Sequence, residues 1–188
     1  SRFRGIPTEE EQAATSPHRG HADDLANADG AAGVIPPEFN DGLGQAGAST
    51  MILMEGINDI GQSFATPAAL VAGYTRAIDR AHARGIRVLL GTLTPDEGTL
   101  QPGYGVMGEA ARVAVNAWIR RQHLSDGVVD FDAAVRDPAH PTRILPAYDG
   151  GDHLHFSPAG YRAMADAVPL GALRGGCYSA IISPEGVP

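Results

Sequence analysis

Residues 50–61 read TMILMEGINDIG, and this stretch decides the fold. Thr50 to Met54 form a continuous apolar run with no alternation and end at Glu55-Gly56. That is the pattern of a parallel strand buried on both faces. Next comes TPAALVAGYTRAIDRAHARG at 66–85. Thr66 suits an N-cap and Pro67 the first turn. Leu70, Tyr74, Ile78 and Ala81 recur at helical spacing, and Gly85 ends the helix.

The alternation then repeats. IRVLLGTLTP (86–95) reads as a second buried strand, and GEAARVAVNAWIRRQ (108–122) as a second amphipathic helix with Ala111, Val115, Trp118 and Ile119 on one side. GVVDFDAAV (127–135) reads as a third strand, and SPAGYRAMADAV (157–168) as a last helix capped by Ser157, with Pro158 at its first position. Strands alternating with helices predict an α/β fold with a mainly parallel sheet covered by helices. Sites in such sheets lie at the carboxyl ends of the strands, here just after Met54, Leu93 and Phe131.

Outside this core the texture changes. We expect an irregular segment at 1–49, a core at 50–170 and a tail at 171–188, making one domain overall. In the first segment, TEEEQAA can open a helix capped by Thr8, and Ser16 to Gly47 reads as Gly- and Pro-punctuated loop with short helical pieces. In the tail, YSAIIS can form a short edge strand.

Composition excludes several classes. The chain has 188 residues, is 43% hydrophobic and carries a net charge of -8, and all 14 of its cations are Arg. This is enough apolar material for a core, and it gives no basic cluster for nucleic acid or for an anionic membrane surface. The single cysteine, Cys177, excludes an intrachain disulfide and a Cys-rich zinc module. No apolar run approaches the length of a membrane span. The opening SRFRGIPTEEEQ is polar and does not read as a signal peptide, which leaves the compartment open.

Two blocks could carry chemistry. In Glu55-Gly56-Ile57-Asn58-Asp59-Ile60, Gly56 permits close backbone approach and Asn58 offers an uncharged amide donor at a strand's carboxyl end, able to bind a developing oxyanion. Alone, the block reads equally as a strand-to-helix turn. In DGGDHLHFSP (149–158), the spacing of Asp152 and His155 lets the carboxylate reach the ring N–H, fixing the tautomer of a general base. The plain alternative is a Gly-rich turn with a surface histidine. A third reading has His153 and His155 sharing a metal ion with a carboxylate, although spacing reveals no further ligand.

Taken together, Gly-x-Asn-Asp after a buried strand and Asp-x-x-His before the last helix resemble the SGNH (GDSL-type) esterase and acylhydrolase family. EGINDIG, ARGIRVLLGTLTP, VNAWIR and GVVDFDAAVRDPAHPTRILPAYDGGDHLHFSPAGYRAMADAV carry the resemblance over residues 50–170, and more loosely over 25–49. It implies a flavodoxin-like three-layer sandwich, here with the first strands missing or altered. It assigns Asn58 and Gly56 to the oxyanion hole, His155 to the base and Asp152 to the acid that orients it. Asp59 is expected to hold the turn. The implied activity is ester hydrolysis, on short acyl or carbohydrate acetyl esters, with no cofactor and no metal. The partner expected is a small ester substrate, with no nucleic acid and no membrane insertion.

The family's nucleophile is the serine of a Gly-Asp-Ser block near the N-terminus. No such triplet occurs here, and no apolar strand precedes residue 50. Gly20 matches a second family block weakly. Ser49 lies at the wrong end of its strand, Ser63 near the right end in a loop context, and Ser157 is a helix cap. The nucleophile is therefore unassigned, and a hydrolase-derived binding protein without catalysis is the competing reading. A sheet lacking its first strands leaves an edge uncovered, so homodimerisation is expected.

Overall fold

A computed structural model describes residues 42–173 of the chain. The expectations for TEEEQAA, Gly20, Cys177 and YSAIIS, and most of those for 16–47, lie outside these residues.

Strand β1 spans Thr50–Leu53, followed by helix α1 (Ile57–Ser63) and helix α2 (Pro67–His82). Strand β2 is Arg87–Gly91, and a 3-10 turn at Gly105–Met107 leads into α3 (Glu109–Arg121). Strand β3 is Gly127–Val129 and α4 is Phe131–Val135. A hairpin of β4 (Arg136–Asp137) and β5 (His140–Ile144) follows, then α5 (Pro158–Ala167) and α6 (Leu170–Leu173). α6 thus runs across the boundary expected at 170/171.

The three strands are parallel in the order β1-β2-β3, with Thr50 opposite Arg87 and Leu89 opposite Gly127. Successive side chains of a strand point to opposite faces, so β2 feeds two cores. Val88 and Leu90 join Leu70, Tyr74, Ile78, Val115 and Ile119 from α2 and α3. Leu89 joins Val129, Phe131, Val135, Met164 and Ala172 from the opposite layer. This is the expected three-layer α/β arrangement. Among the described residues β1 is an outer strand, with Ile52 on it 41% exposed.

The capping expectations hold in detail. The Thr66 side chain accepts the Ala69 N–H at 3.2 Å, and the Ser157 hydroxyl accepts that of Gly160 at 3.3 Å. The third strand is corrected: GVVDFDAAV is strand only to Val129. The Asp130 carboxylate then accepts the Ala133 N–H at 3.1 Å and starts α4. A side chain able to cap the backbone offers it an alternative to the ladder, and Asp130 also ties down Arg120 at 2.7 Å.

The β4–β5 hairpin positions the loop after β2. Thr142 O accepts the Glu97 N–H at 3.0 Å, and the Arg143 guanidinium grips the Glu97 carboxylate at 2.6 and 2.9 Å. Near the end of β2, the Asp96 carboxylate accepts the N–H of Gly105 at 2.9 Å, which draws the loop into a closed turn.

Candidate active site

The oxyanion candidate is built at the carboxyl end of β1. Gly56 has φ +121, and a Cβ there would lie 2.6 Å from the Tyr74 hydroxyl and 3.1 Å from Leu70. Only glycine fits a position with both restrictions. The Tyr74 hydroxyl donates to the Glu55 carbonyl, and burial raises the pKa of that phenol. Gly56 O then accepts the Ile60 N–H at 3.0 Å, starting α1 directly after the turn. Asn58 therefore sits in the first turn of a helix, directly after the strand-to-helix turn. Asp59 beside it is buried, and burial raises its carboxyl pKa. Its Oδ1 has no hydrogen-bond partner among the described residues, so no bond from that oxygen holds the turn.

The Asn58 side chain is held by a residue that sequence reading does not single out. The Tyr104 hydroxyl donates to Asn58 Oδ1 at 2.9 Å and accepts from Gln62 Nε2 at 2.9 Å. No motif marks Tyr104. The available signal is Gly103-Tyr104-Gly105, an aromatic residue flanked by two glycines at positive φ.

The second block is a loop closed on itself. Asp149 and Phe156 form an antiparallel bridge, Gly150 N–H donates to His155 O at 2.8 Å, and Ser157 N–H to Tyr148 O at 2.8 Å. A Cβ on Gly150 would lie 2.8 Å from that His155 carbonyl, which explains a glycine there. Inside the loop, Asp152 Oδ1 accepts the N–H groups of Leu154 at 3.0 Å and His155 at 2.8 Å. Its other oxygen, Oδ2, meets Nδ1 of His155 at 2.6 Å. These bonds, led by that of the imidazole, hold the Asp152 carboxyl far below the ordinary carboxylate range. An ionised carboxylate only accepts, so Nδ1 carries a hydrogen, and in the neutral ring Nε2 is the acceptor. His155 and Asp152 are 68% and 56% exposed at their side chains, which leaves the ring open to a reacting group.

The structure thus brings Asp152 and His155 together as the spacing predicted. It does not bring His153 and His155 together as metal ligands. His153 Nδ1 faces its own carboxylate, Asp149 Oδ2, at 2.5 Å, and among the described residues no group of three or more His, Cys, Asp or Glu is placed to hold a metal ion. Partial burial pushes the Asp149 carboxyl up, but the N–H groups of Gly151 and His153 and the His153 ring outweigh it, leaving the pKa lowered.

The loop between β2 and α3 touches both blocks. Through Tyr104 it reaches Asn58. Through Gly98 it lies against the His153 ring, where a Cβ would come within 3.0 Å. Among the described serines, Ser125 donates to Gly127 O at 2.9 Å and Ser157 to Ala147 O at 3.0 Å. Ser63 closes α1.

Two solved structures share this fold. A Bacteroides fragilis protein classed as an acylhydrolase superposes with a TM-score of 0.57 at 18% identity, over 67% of this chain and 62% of its own. A GDSL-like lipase from Bacteroides thetaiotaomicron gives 0.53 at 14% identity, again over 67% of this chain and 62% of its own. The chain therefore spans under two thirds of the length of each. No curated protein sequence matches it. The model of the GDSL-like Lipase/Acylhydrolase family matches residues 11–163, most of the chain and both blocks just described, and the chain belongs to that family.

Proposed function

We propose that this chain is a carboxylic ester hydrolase acting on short acyl or carbohydrate acetyl esters. The observation that carries the reading is the Asp152–His155 pair at 2.6 Å, with the imidazole side chain largely exposed, in a chain of this family. His155 Nε2 takes the proton of a serine hydroxyl as that oxygen attacks the ester carbonyl. Asp152 holds the ring and stabilises the imidazolium that forms. Gly56 forms the turn that presents Asn58, and Asn58 Nδ2 donates to the oxyanion of the tetrahedral intermediate. The imidazolium then returns its proton to the leaving alcohol, and water attacks the acyl-enzyme by the same route in reverse. The low aromatic content, 6% of the chain, favours a small acyl group over a long lipid.

One observation favours a second reading, a hydrolase-derived binding protein that lacks its nucleophile. The hydroxyls of Ser125 and Ser157 are engaged by backbone carbonyls rather than by His155. Hydrolysis of p-nitrophenyl acetate by the full chain and by His155→Ala, with a serine-directed phosphonate label located by mass spectrometry, separates the two. Activity lost in the variant, with one serine labelled, establishes the esterase. A folded, inactive and unlabelled chain overturns the esterase and favours the binding protein. The acidic net charge supports a partner set without nucleic acid. The outer position of β1 among the described residues supports pairing between copies, which light scattering on a size-exclusion column tests.

A further inference from the structure

We infer that Tyr104, supported by Gln62, is a positioning residue that locks the Asn58 carboxamide with its donor, Nδ2, turned toward substrate. This rests on the reading of Asn58 as an oxyanion donor.

A carboxamide can rotate by half a turn at little cost in shape, and the rotation exchanges its donor for its acceptor. An asparagine free to rotate offers an oxyanion a carbonyl oxygen in the wrong orientation, which repels it. The site therefore needs a group that recognises Oδ1. A hydroxyl supplies it, because it has one hydrogen to place. Tyr104 places that hydrogen on Asn58 Oδ1 at 2.9 Å, while Gln62 Nε2 donates to the same hydroxyl oxygen at 2.9 Å. The chain Gln62 to Tyr104 to Asn58 has one direction, and it leaves Asn58 Nδ2 without a partner among the described residues.

The helix is shaped to receive this hydroxyl. Asn58 and Gln62 stand four residues apart on α1, so both side chains lie on one face. Gly61 lies beneath the phenol ring: a Cβ there would be 2.4 to 2.5 Å from three ring atoms of Tyr104. Gly103 permits equally close approach, since its own Cβ would collide with Gly61 O at 1.9 Å. On the other side, Asp96 Oδ2 takes the N–H of Gly105 at 2.9 Å and pins the backbone next to Tyr104. Tyr104 is only 5% exposed, so water does not compete well for its hydroxyl. Because Phe would fill the same space, packing alone does not require the oxygen.

The test uses the full chain, with Tyr104→Phe, Gln62→Ala, Asn58→Ala and the Tyr104→Phe/Asn58→Ala double variant, and two readouts. Steady-state hydrolysis of p-nitrophenyl acetate should show kcat reduced by about 10-fold to about 100-fold in Tyr104→Phe with KM nearly unchanged. Gln62→Ala should lose less, and the double variant should lose no more than Asn58→Ala. The side-chain 1H–15N pair of Asn58 should shift or broaden in Tyr104→Phe while backbone amides away from α1 stay in place, a readout that does not depend on turnover. If Asn58→Ala lowers kcat and Tyr104→Phe does not, the positioning role is overturned and the oxyanion reading survives. If Asn58→Ala leaves kcat unchanged, the oxyanion reading fails and takes this inference with it. An Asn58 side-chain signal indifferent to Tyr104→Phe overturns the inference whatever the turnover.

Discussion

The carboxamide of Asn116 pairs with both backbone polar groups of Leu93. Its Oδ1 accepts the Leu93 N–H at 2.7 Å and its Nδ2 donates to the Leu93 carbonyl at 2.7 Å. The Arg112 guanidinium, itself paired with Asp132 at 2.8 Å, adds a second donor to that carbonyl at 3.1 Å. A helix side chain thus substitutes for a strand neighbour just past the end of β2, where the chain must leave the sheet for the site loop. Asn116→Leu would leave the buried Leu93 N–H without a partner and weaken the carbonyl's satisfaction. We expect a loss of about 2 to 4 kcal/mol in urea unfolding; a loss below about 0.5 kcal/mol would show that the pair is dispensable.

Gly56→Ala tests the turn that presents Asn58. The new methyl would meet the Tyr74 hydroxyl at 2.6 Å while the backbone keeps φ +121. Strain and overpacking together should cost about 2 kcal/mol or more. Thermal unfolding and p-nitrophenyl acetate turnover should fall together, because the turn serves both. A variant with normal stability and activity would show that this turn has room to give.

Asp152→Asn and His155→Ala probe chemistry with little effect on folding, since both side chains are largely exposed. In Asp152→Asn the new carboxamide would still accept the Leu154 and His155 N–H groups through its oxygen, but it would no longer present a charged acceptor to Nδ1–H. We expect kcat to fall on the order of a thousandfold in Asp152→Asn and to background in His155→Ala. Both variants should remain folded by circular dichroism, which separates the loss of turnover from unfolding. Full activity in Asp152→Asn would remove Asp152 from the mechanism.

Asp96 sets a pH dependence of stability. It is 1% exposed, and its Oδ1 has no hydrogen-bond partner among the described residues. Burial raises its pKa, against the opposing pull of the Gly105 N–H and of Arg112, with Glu109 adding to the rise. The folded state therefore keeps this proton to higher pH than the unfolded chain, whose carboxyl titrates near about 3.9. Stability contributed here is greatest below that value and declines as pH rises through the folded-state pKa. Asp96→Asn keeps an acceptor for Gly105 and removes the titration. Its stability relative to the parent should improve from about pH 4 to about pH 8 in urea titrations; a difference that does not change with pH would contradict the account.

The strands and long helices were legible because their signals are local. The apolar runs at 50–54 and 86–93, the helical spacing from Leu70 to Ala81, and the caps Thr66 and Ser157 each depend on residues a few positions apart. The β4–β5 hairpin was not legible. Its sequence, RDPAHPTRI, lacks alternation and holds two prolines, and it is kept in place by Glu97, some 45 residues upstream. The short helix α4 was hidden because Val129-Asp130-Phe131-Asp132 alternates apolar and acidic residues as a half-buried strand does, until the Asp130 cap bond is seen.

The candidate site divides along the same line. The sequence allowed the Asp152–His155 pair, because a three-residue spacing within one turn lets the two side chains meet, and the family resemblance implied their roles. Sequence alone determined the Gly56-Asn58 turn, because an apolar run ending at glycine must leave the sheet there. Only the tertiary structure decided what holds the Asn58 amide and why Gly61 and Gly103 must be glycine. Those outcomes depend on contacts such as that of Tyr104 with Asn58, 46 positions apart, and on room for atoms that glycine omits. Neither leaves a periodic trace along the chain, because a single long-range hydrogen bond constrains two residues and none of those between them.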